Sequence, residues 1–133
     1  MKHLLILNET QIDINNASDV FKNIKKVNID YAQENFIVFA LDCKNKIIKA
    51  EVLFKGGLAK CLVDPKIVFR FALLKKANCI IVAHNHPSND LHPSEADYEV
   101  FEALKKAGKM LDLQVLDSVV FNKKEFYSLN ENF

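Results

Sequence analysis

The feature that most constrains the fold is the short apolar run at residues 78–83 (NCIIVA), which leads into a polar loop rich in histidine. The run does not alternate between apolar and polar residues. A strand with this pattern is typical of a sheet that is covered on both faces, because each face then needs apolar side chains. We therefore predict a strand here, with helices packed above and below its sheet.

Three segments have the pattern of helices. In the first, apolar side chains recur at helical spacing and Ser18 is the predicted N-cap. The second begins at an Asp-Pro pair, because aspartate caps a helix and proline fits its first position. The third is expected to close at Gly108. The predicted helices cover residues 18–27, a segment starting at Asp64 and Pro65, and residues 94–106.

Further segments have the composition of strands. Residues 36–42 and 46–54 are β-branched and aromatic runs joined by a short polar turn, which is a hairpin signal. Residues 113–121 favour another strand, and the opening residues 3–14 contain a weaker candidate. The order helix, hairpin, helix, strand, helix, strand predicts an α/β (α+β) fold, with a mixed sheet flanked by helices on both faces.

Composition narrows the class of protein. The 133 residues contain no repeat or linker, so we predict a single domain over residues 1–133. A formal net charge of +1 gives no basic field for broad binding to nucleic acid or anionic membranes. No apolar stretch has the length of a membrane span. Cys43, Cys61 and Cys79 are odd in number and far apart, which favours reduced thiols and a cytoplasmic protein.

The histidine loop carries the chemistry. His84 and His86 are two residues apart, so a strand that continued past Ala83 would project both imidazoles to one side. Asp97 falls in the first turn of the next helix, and helical side chains lean towards the helix N-terminus, which would return its carboxylate to the loop. Two imidazoles and one carboxylate are a ligand set that zinc accepts in catalytic sites. We predict a metal site at this junction.

The same residues are open to other interpretations. Taken alone, Ser94 and Asp97 are better explained as a capping box at the start of a helix. The letters HNH do not reproduce the HNH nuclease motif, whose residues are dispersed over a ββα finger. A zinc deaminase would need H-x-E and P-C-x-x-C, and the sequence contains neither. Asp90 and His92 lie in the middle of the loop, and we predict that both are exposed.

The stretch HNHPSNDLHPSEAD, residues 84–97, resembles the JAMM (MPN-domain) metalloprotease signature, which is H-x-H, seven residues, then S-x-x-D. The H-N-H-P-S form is that of the RadC branch. The similarity extends to residues 56–73 and 102–117, so it covers most of the chain. It implies an MPN and cytidine-deaminase-like architecture. Full-length members carry a preceding helix-hairpin-helix segment, and we expect this chain to be the short, stand-alone form.

The resemblance implies roles for individual residues. His84, His86 and Asp97 match the family's zinc ligands. Ser94 matches a serine that is thought to hydrogen-bond the developing oxyanion or the water. The family's catalytic glutamate precedes its first central strand, and Glu34 is the matching residue here. Glu51 is the alternative.

Two positions depart from the family pattern. The usual glycine after H-N-H-P-S is Asn89, which can also adopt a left-handed turn. The family's later Asp-His pair is Asp117-Ser118, so any contribution of that histidine is absent. Because the H-x-H and S-x-x-D residues are intact, we expect metal binding to persist.

Three functions follow as hypotheses. The first is a zinc-dependent metallo-hydrolase that cleaves a peptide or isopeptide bond in a peptide or protein substrate. The second is a RadC-like factor of DNA repair or mobile elements that acts with nucleic acid, although the charge does not support it. The third is a non-catalytic MPN scaffold. A dimer is also open, because exposed strand edges in mixed sheets often pair.

Overall fold

The protein is described here by a computed structural model, which covers residues 12–26, 28–56 and 63–130, together with the backbone of residues 5–7. The described residues form a sheet of six strands and three helices. The elements are β1 (Leu5–Leu7), α1 (Ala17–Ile24), β2 (Asn35–Leu41), β3 (Ile47–Lys55), α2 (Pro65–Leu74), β4 (Cys79–Asn85), α3 (Glu95–Met110), β5 (Gln114–Phe121) and β6 (Phe126–Ser128).

The sheet is mixed, as predicted. Its strand order is β1-β3-β2-β4-β5-β6. Only the pair β4 and β5 runs parallel among the described pairs, and a parallel pair needs a crossover connection, which α3 supplies. The predicted hairpin is β2 and β3, which pair antiparallel. β4 therefore lies inside the sheet, between β2 and β5.

Helices cover both faces of the sheet, which explains the continuous apolar run of β4. On one face α1 buries Val20 and Ile24 in a core that includes Ile81. On the other face α2 and α3 belong to the core that contains Val82. Successive β4 side chains enter opposite cores, so all seven of its residues are buried. The predicted fold class is confirmed.

The predicted start of the first helix was wrong by two residues. Asn16, not Ser18, is the N-cap of α1, because its backbone is extended and its side-chain oxygen accepts from the Asp19 N–H at 2.9 Å. The helix ends at Ile24, and the predicted end, Val27, lies outside the described residues, as does Cys61.

The predicted end of the third helix was also wrong, because Gly108 lies inside α3. The helix continues to Met110, and its C-terminus is closed by Asp112 in the left-handed region, at φ 54°. The Leu113 N–H then donates to the Gly108 carbonyl at 2.8 Å. A Cβ at position 108 would collide with the Leu113 carbonyl oxygen, so the glycine permits this close approach of the chain.

Strand boundaries differ less from expectation. β4 runs two residues past the apolar run, to Asn85, and so includes His84. The strand at Leu5–Leu7 falls within the weak opening candidate and pairs with β3. β6 was not predicted, since three residues after a tight turn give little pattern to detect. None of the helices that the structure describes is long and apolar enough to cross a membrane.

Candidate metal centre

His84 and His86 lie on the same side of the sheet. β4 continues to Asn85, so the alternation of side chains along the strand places both imidazoles on the face covered by α3. Their ring centroids are 5.2 Å apart. His84 is buried, at 4% exposed, and its ring stacks on Phe36 of the neighbouring β2 at 6.2 Å. The first histidine is thus held by the core of the sheet.

Asp97 faces both histidines from the first turn of α3. Its Oδ1 lies 3.0 Å from Nε2 of His84, and its Oδ2 lies 3.0 Å from Nε2 of His86. One ligand atom from each of the three residues lies within 4.8 Å of the other two. Within the described part of the chain, this group could hold a metal ion.

The capping box and the candidate site share Asp97. The Ser94 hydroxyl accepts from the Asp97 N–H at 3.1 Å, and Oδ2 of Asp97 accepts from the Ser94 N–H at 2.8 Å. The two interpretations of S-x-x-D therefore do not compete. The cap holds the first turn of α3 so that the Asp97 carboxylate is turned towards the histidines.

Electrostatics in the group favour an ionised carboxylate. Burial acts to raise the pKa of Asp97, but the contacts with His84 and His86 and the Ser94 N–H outweigh it and hold the pKa well below its ordinary value. The hydrogen bond with Asp97 raises the pKa of His86, and the nearby charge of Glu34 adds to this. The site therefore attracts positive charge, which a bound cation also provides.

His84 is available to ligate a metal because no hydrogen bond from the described part of the chain engages its ring nitrogens. Both of its ring nitrogens are buried, and neither has a hydrogen-bond partner among the described residues. Its Nε2 lies 3.0 Å from Oδ1 of Asp97. Two ligand atoms on a tetrahedral zinc stand roughly 3.3 Å apart and aim at the ion, not at each other. The donor set and the spacing fit zinc.

His86 is oriented by the loop that follows it. Its Nδ1 lies 2.7 Å from the Asp90 carbonyl oxygen. The Asn89 N–H donates to the His86 carbonyl at 2.8 Å and closes a turn. This turn brings the Asp90 carbonyl within reach of the His86 ring. Asn89 takes the left-handed conformation, at φ 67°, as predicted from its match to the family glycine. The Asn122 side chain donates to the Asn89 carbonyl at 2.9 Å and ties the loop to the end of β5.

The two candidate glutamates occupy different places. Glu34 directly precedes β2, is half-buried, and is close enough to His86 to influence its pKa. Glu51 lies in β3, pairs with Lys49 at 3.7 Å, and lines a groove beside Arg70 of α2. Of the two glutamates, Glu34 therefore acts electrostatically on His86, whereas Glu51 lines the groove beside α2. The catalytic role of Glu34 remains a prediction.

The remaining loop and strand residues fall into two groups. Asp90 and His92 have exposed side chains, as predicted. Ser118, where the family has histidine, is buried and lines a narrow pocket beside His84. Asp117 is fully buried and accepts hydrogen bonds from the Ser128 hydroxyl at 2.5 Å and the Asn130 N–H at 2.9 Å. It therefore supports the C-terminal segment and not the metal group.

Three supporting groups were not anticipated from the sequence, namely the side chains of Asn85 and Asn122 and the carbonyl of Asp90. The role of Asn85 could have been predicted from the sequence. A polar residue between two histidines of one strand must point to the opposite, buried face, where its amide needs hydrogen-bond partners. Nothing in the pattern indicates that Asn122 contacts a loop 33 residues earlier.

These features define an α/β domain with a His-His-Asp group, able to hold a metal, between a central strand and the helix that follows it. The RadC-like JAB domain family matches residues 14–133, and the chain belongs to this family.

Relatives support the assignment. The chain is 40% identical over 121 residues to a UPF0758 protein of Staphylococcus haemolyticus and 41% identical over 122 residues to one of Clostridium perfringens. These matches cover 91% and 92% of this chain but 53% and 54% of the relatives. A third UPF0758 protein, of Finegoldia magna, is 43% identical over 98 residues, or 74% of this chain and 44% of the relative. The chain spans about half the length of the curated relatives it matches.

Proposed function

We propose that the protein is a zinc-dependent metallo-hydrolase that cleaves peptide or isopeptide bonds with a metal-activated water. The observation that carries the proposal is the convergence of one ligand atom each from His84, His86 and Asp97 within 4.8 Å. Membership of the RadC-like JAB domain family supports it. The substrate is a peptide or a protein.

The number and type of ligands favour a catalytic zinc site over a structural one. Structural zinc sites use four protein ligands, commonly cysteines, whereas catalytic sites use three and leave one position for water or substrate. Here three residues converge among those the structure describes, and none of them is cysteine. When bound, zinc supplies a Lewis acid that activates a water molecule and polarises the scissile carbonyl.

Glu34 is the proposed general base. It directly precedes β2 and its charge acts on His86, which suits a carboxylate that takes the proton of the attacking water. The same carboxyl group then delivers that proton to the leaving amine. Glu51 is not suited to this role because it lies beside α2, away from the histidines.

Ser94 is the proposed oxyanion donor. Its hydroxyl oxygen accepts from the Asp97 N–H, so its own hydrogen is available to donate in another direction. Ser94 is exposed, and it lies three residues before the candidate ligand Asp97. A hydroxyl at this position can stabilise the negative charge that grows on the carbonyl oxygen during attack.

The apolar surroundings of His84 strengthen these interactions. Beside His84 and Asp97 lies a narrow pocket lined by side chains from β2, α3 and the segment before α2. His84 is buried, and electrostatic interactions are stronger where water is excluded. The apolar lining residues are Phe36, Val63, Ala96 and Val100.

The test is cleavage of a complex peptide mixture by zinc-loaded protein, read by mass spectrometry as new termini. We expect wild type to produce new termini and Glu34→Gln to lose at least about 100-fold in rate while keeping its zinc, because general-base catalysis contributes that much. Glu51→Gln is the matched control and should cleave like wild type. Equal cleavage by Glu34→Gln and wild type would contradict the assignment of the base.

A further inference from the structure

A buried pair of asparagines links the end of β4 to the segment that carries Glu34. Asn35 and Asn85 are 0% and 1% exposed. Oδ1 of Asn85 accepts from the Asn35 backbone N–H at 2.8 Å and from the Asn35 side chain at 3.2 Å. The two residues are 50 positions apart in the sequence, so the contact is tertiary rather than local.

The pair also holds the chain before β2. The Asn85 side chain donates to the Gln33 carbonyl at 3.0 Å. The Asn35 side chain donates to the same carbonyl at 3.0 Å and to the Asp30 carbonyl at 2.9 Å. Glu34 therefore lies between two residues that Asn85 contacts directly, Gln33 and Asn35.

The backbone pattern explains why a side chain is needed here. Regular pairing between β2 and β4 begins at Phe36 and His84. One residue earlier, the Asn35 N–H bonds to the side chain of Asn85 instead of to the backbone of β4. The side-chain amide of Asn85 thus takes the place of a backbone hydrogen-bond partner at the point where the segment that carries Glu34 leaves the sheet.

Neighbouring side chains of β4 point to opposite faces of the sheet. His84 projects to the α3 face, towards Asp97, and Asn85 projects to the opposite face. One strand end thus holds the first metal ligand on one side and the Glu34 segment on the other. Loss of the Asn85 side chain would leave the buried Asn35 N–H without its partner, and an unpaired buried donor is costly.

We infer that Asn85 is a positioning residue that fixes Glu34 relative to the metal held by His84, His86 and Asp97. The inference rests on the proposed function. Asn85 does not touch the reacting groups; it acts through the Gln33 carbonyl and the Asn35 N–H. Asn85, the middle residue of the H-N-H stretch, then has a specific structural role beside the two histidine ligands.

The test uses pseudocontact shifts, which report where each amide lies relative to a paramagnetic metal. The full chain is loaded with Co²⁺, with the Zn²⁺-loaded protein as the diamagnetic reference. In Asn85→Ala we expect the pseudocontact shifts of the Gln33, Glu34 and Asn35 amides to change by half or more. Those along α3 should stay as in wild type, because the metal itself does not move.

The matched control is Asn23→Ala. Asn23 is also a buried asparagine, 4% exposed, whose side chain bonds a backbone carbonyl at 2.8 Å, but it lies in α1. We expect this variant to leave every shift near Glu34 unchanged. If Asn85→Ala does not fold, Asn85→Ser keeps a polar group at this position but is too short to bridge the Gln33 carbonyl and the Asn35 N–H, and it should move the Glu34 amide in the same way.

The outcomes separate the two claims. Unchanged shifts at Glu34 in a folded, Co²⁺-loaded Asn85→Ala or Asn85→Ser protein overturn the inference and leave the metal site standing. Failure of wild type to bind either metal overturns the proposed function and the inference with it. Displacement confined to the Glu34 segment supports the positioning role, since a general loss of stability would affect α3 as well.

Discussion

Nδ1 of His86 lies 2.7 Å from the carbonyl oxygen of Asp90, and this one contact determines which nitrogen can bind a metal. A carbonyl oxygen can only accept, so Nδ1 must carry a hydrogen. In a neutral imidazole the lone pair is then on Nε2, the nitrogen that faces Asp97 at 3.0 Å. The loop thus selects the tautomer that the proposed site requires.

The first prediction concerns this tautomer. In ¹⁵N-labelled, zinc-loaded protein we expect His86 to be protonated at Nδ1 and to bind the metal through Nε2. His92, exposed in the same loop, is the internal control, and its ring nitrogen shifts should not change when zinc is added. Nitrogen chemical shifts that place the metal on Nδ1 of His86 would contradict the assigned orientation.

The second prediction concerns Gly108 in α3. Replacing a helical glycine by alanine ordinarily stabilises a helix by about 1 kcal/mol. Here the new Cβ would collide with the Leu113 carbonyl oxygen. We therefore expect Gly108→Ala to lower the free energy of unfolding, by about 1–3 kcal/mol as in overpacked sites. Urea denaturation monitored by circular dichroism measures it.

The control for that variant lies on the same helix. Ala103 is exposed, so Ala103→Gly should show the ordinary propensity, a loss of about 1 kcal/mol, without any collision. A Gly108→Ala protein that is more stable than wild type would show that the end of α3 does not approach residue 108 as described.

The third prediction is a pH dependence at Asp117. Burial raises the pKa of this carboxyl above its ordinary value of 3.8, against the opposing effect of its hydrogen bonds with Ser128 and Asn130. Between 3.8 and the raised pKa the folded chain binds a proton that the unfolded chain has lost, so stability falls as the pH rises through this window. Asp117→Asn removes the titration while keeping hydrogen-bonding groups.

The measurement is the difference in unfolding free energy between wild type and Asp117→Asn across the acidic range. We expect wild type to lose stability relative to the variant as the pH rises above 3.8. A constant difference over this range would mean that the pKa of Asp117 is the same in the folded and unfolded chains.

Much of the fold could be predicted because its signals are local. The continuous apolar run of β4 indicated a strand covered on both faces, and the Asp64-Pro65 pair marked the start of α2. The ends of helices were harder. Asn16 and Ser18 are both good caps, and the choice depends on which oxygen reaches a free N–H. At Gly108 a glycine that permits close packing looked like a helix terminator.

The candidate site also contains residues that the sequence predicts and groups that it does not. Two histidines on an alternating strand and an aspartate in the next helical turn are a spacing that can be read from the sequence, and the structure brings them together. The groups that orient them are different. The Asp90 carbonyl has no side-chain signature, and the partners of Asn85 and Asn122 are distant in sequence, so only the folded chain reveals them.

The measurement that tests the central claim most directly is the zinc content of the purified chain, prepared without chelators and determined by plasma mass spectrometry. We expect about one zinc ion per chain in wild type and in His92→Ala, and at least a tenfold loss in His84→Ala and Asp97→Ala, because each removes one of three ligands. Folded wild-type protein that binds no zinc, even when zinc is supplied, would contradict the claim, as would full zinc content in His84→Ala.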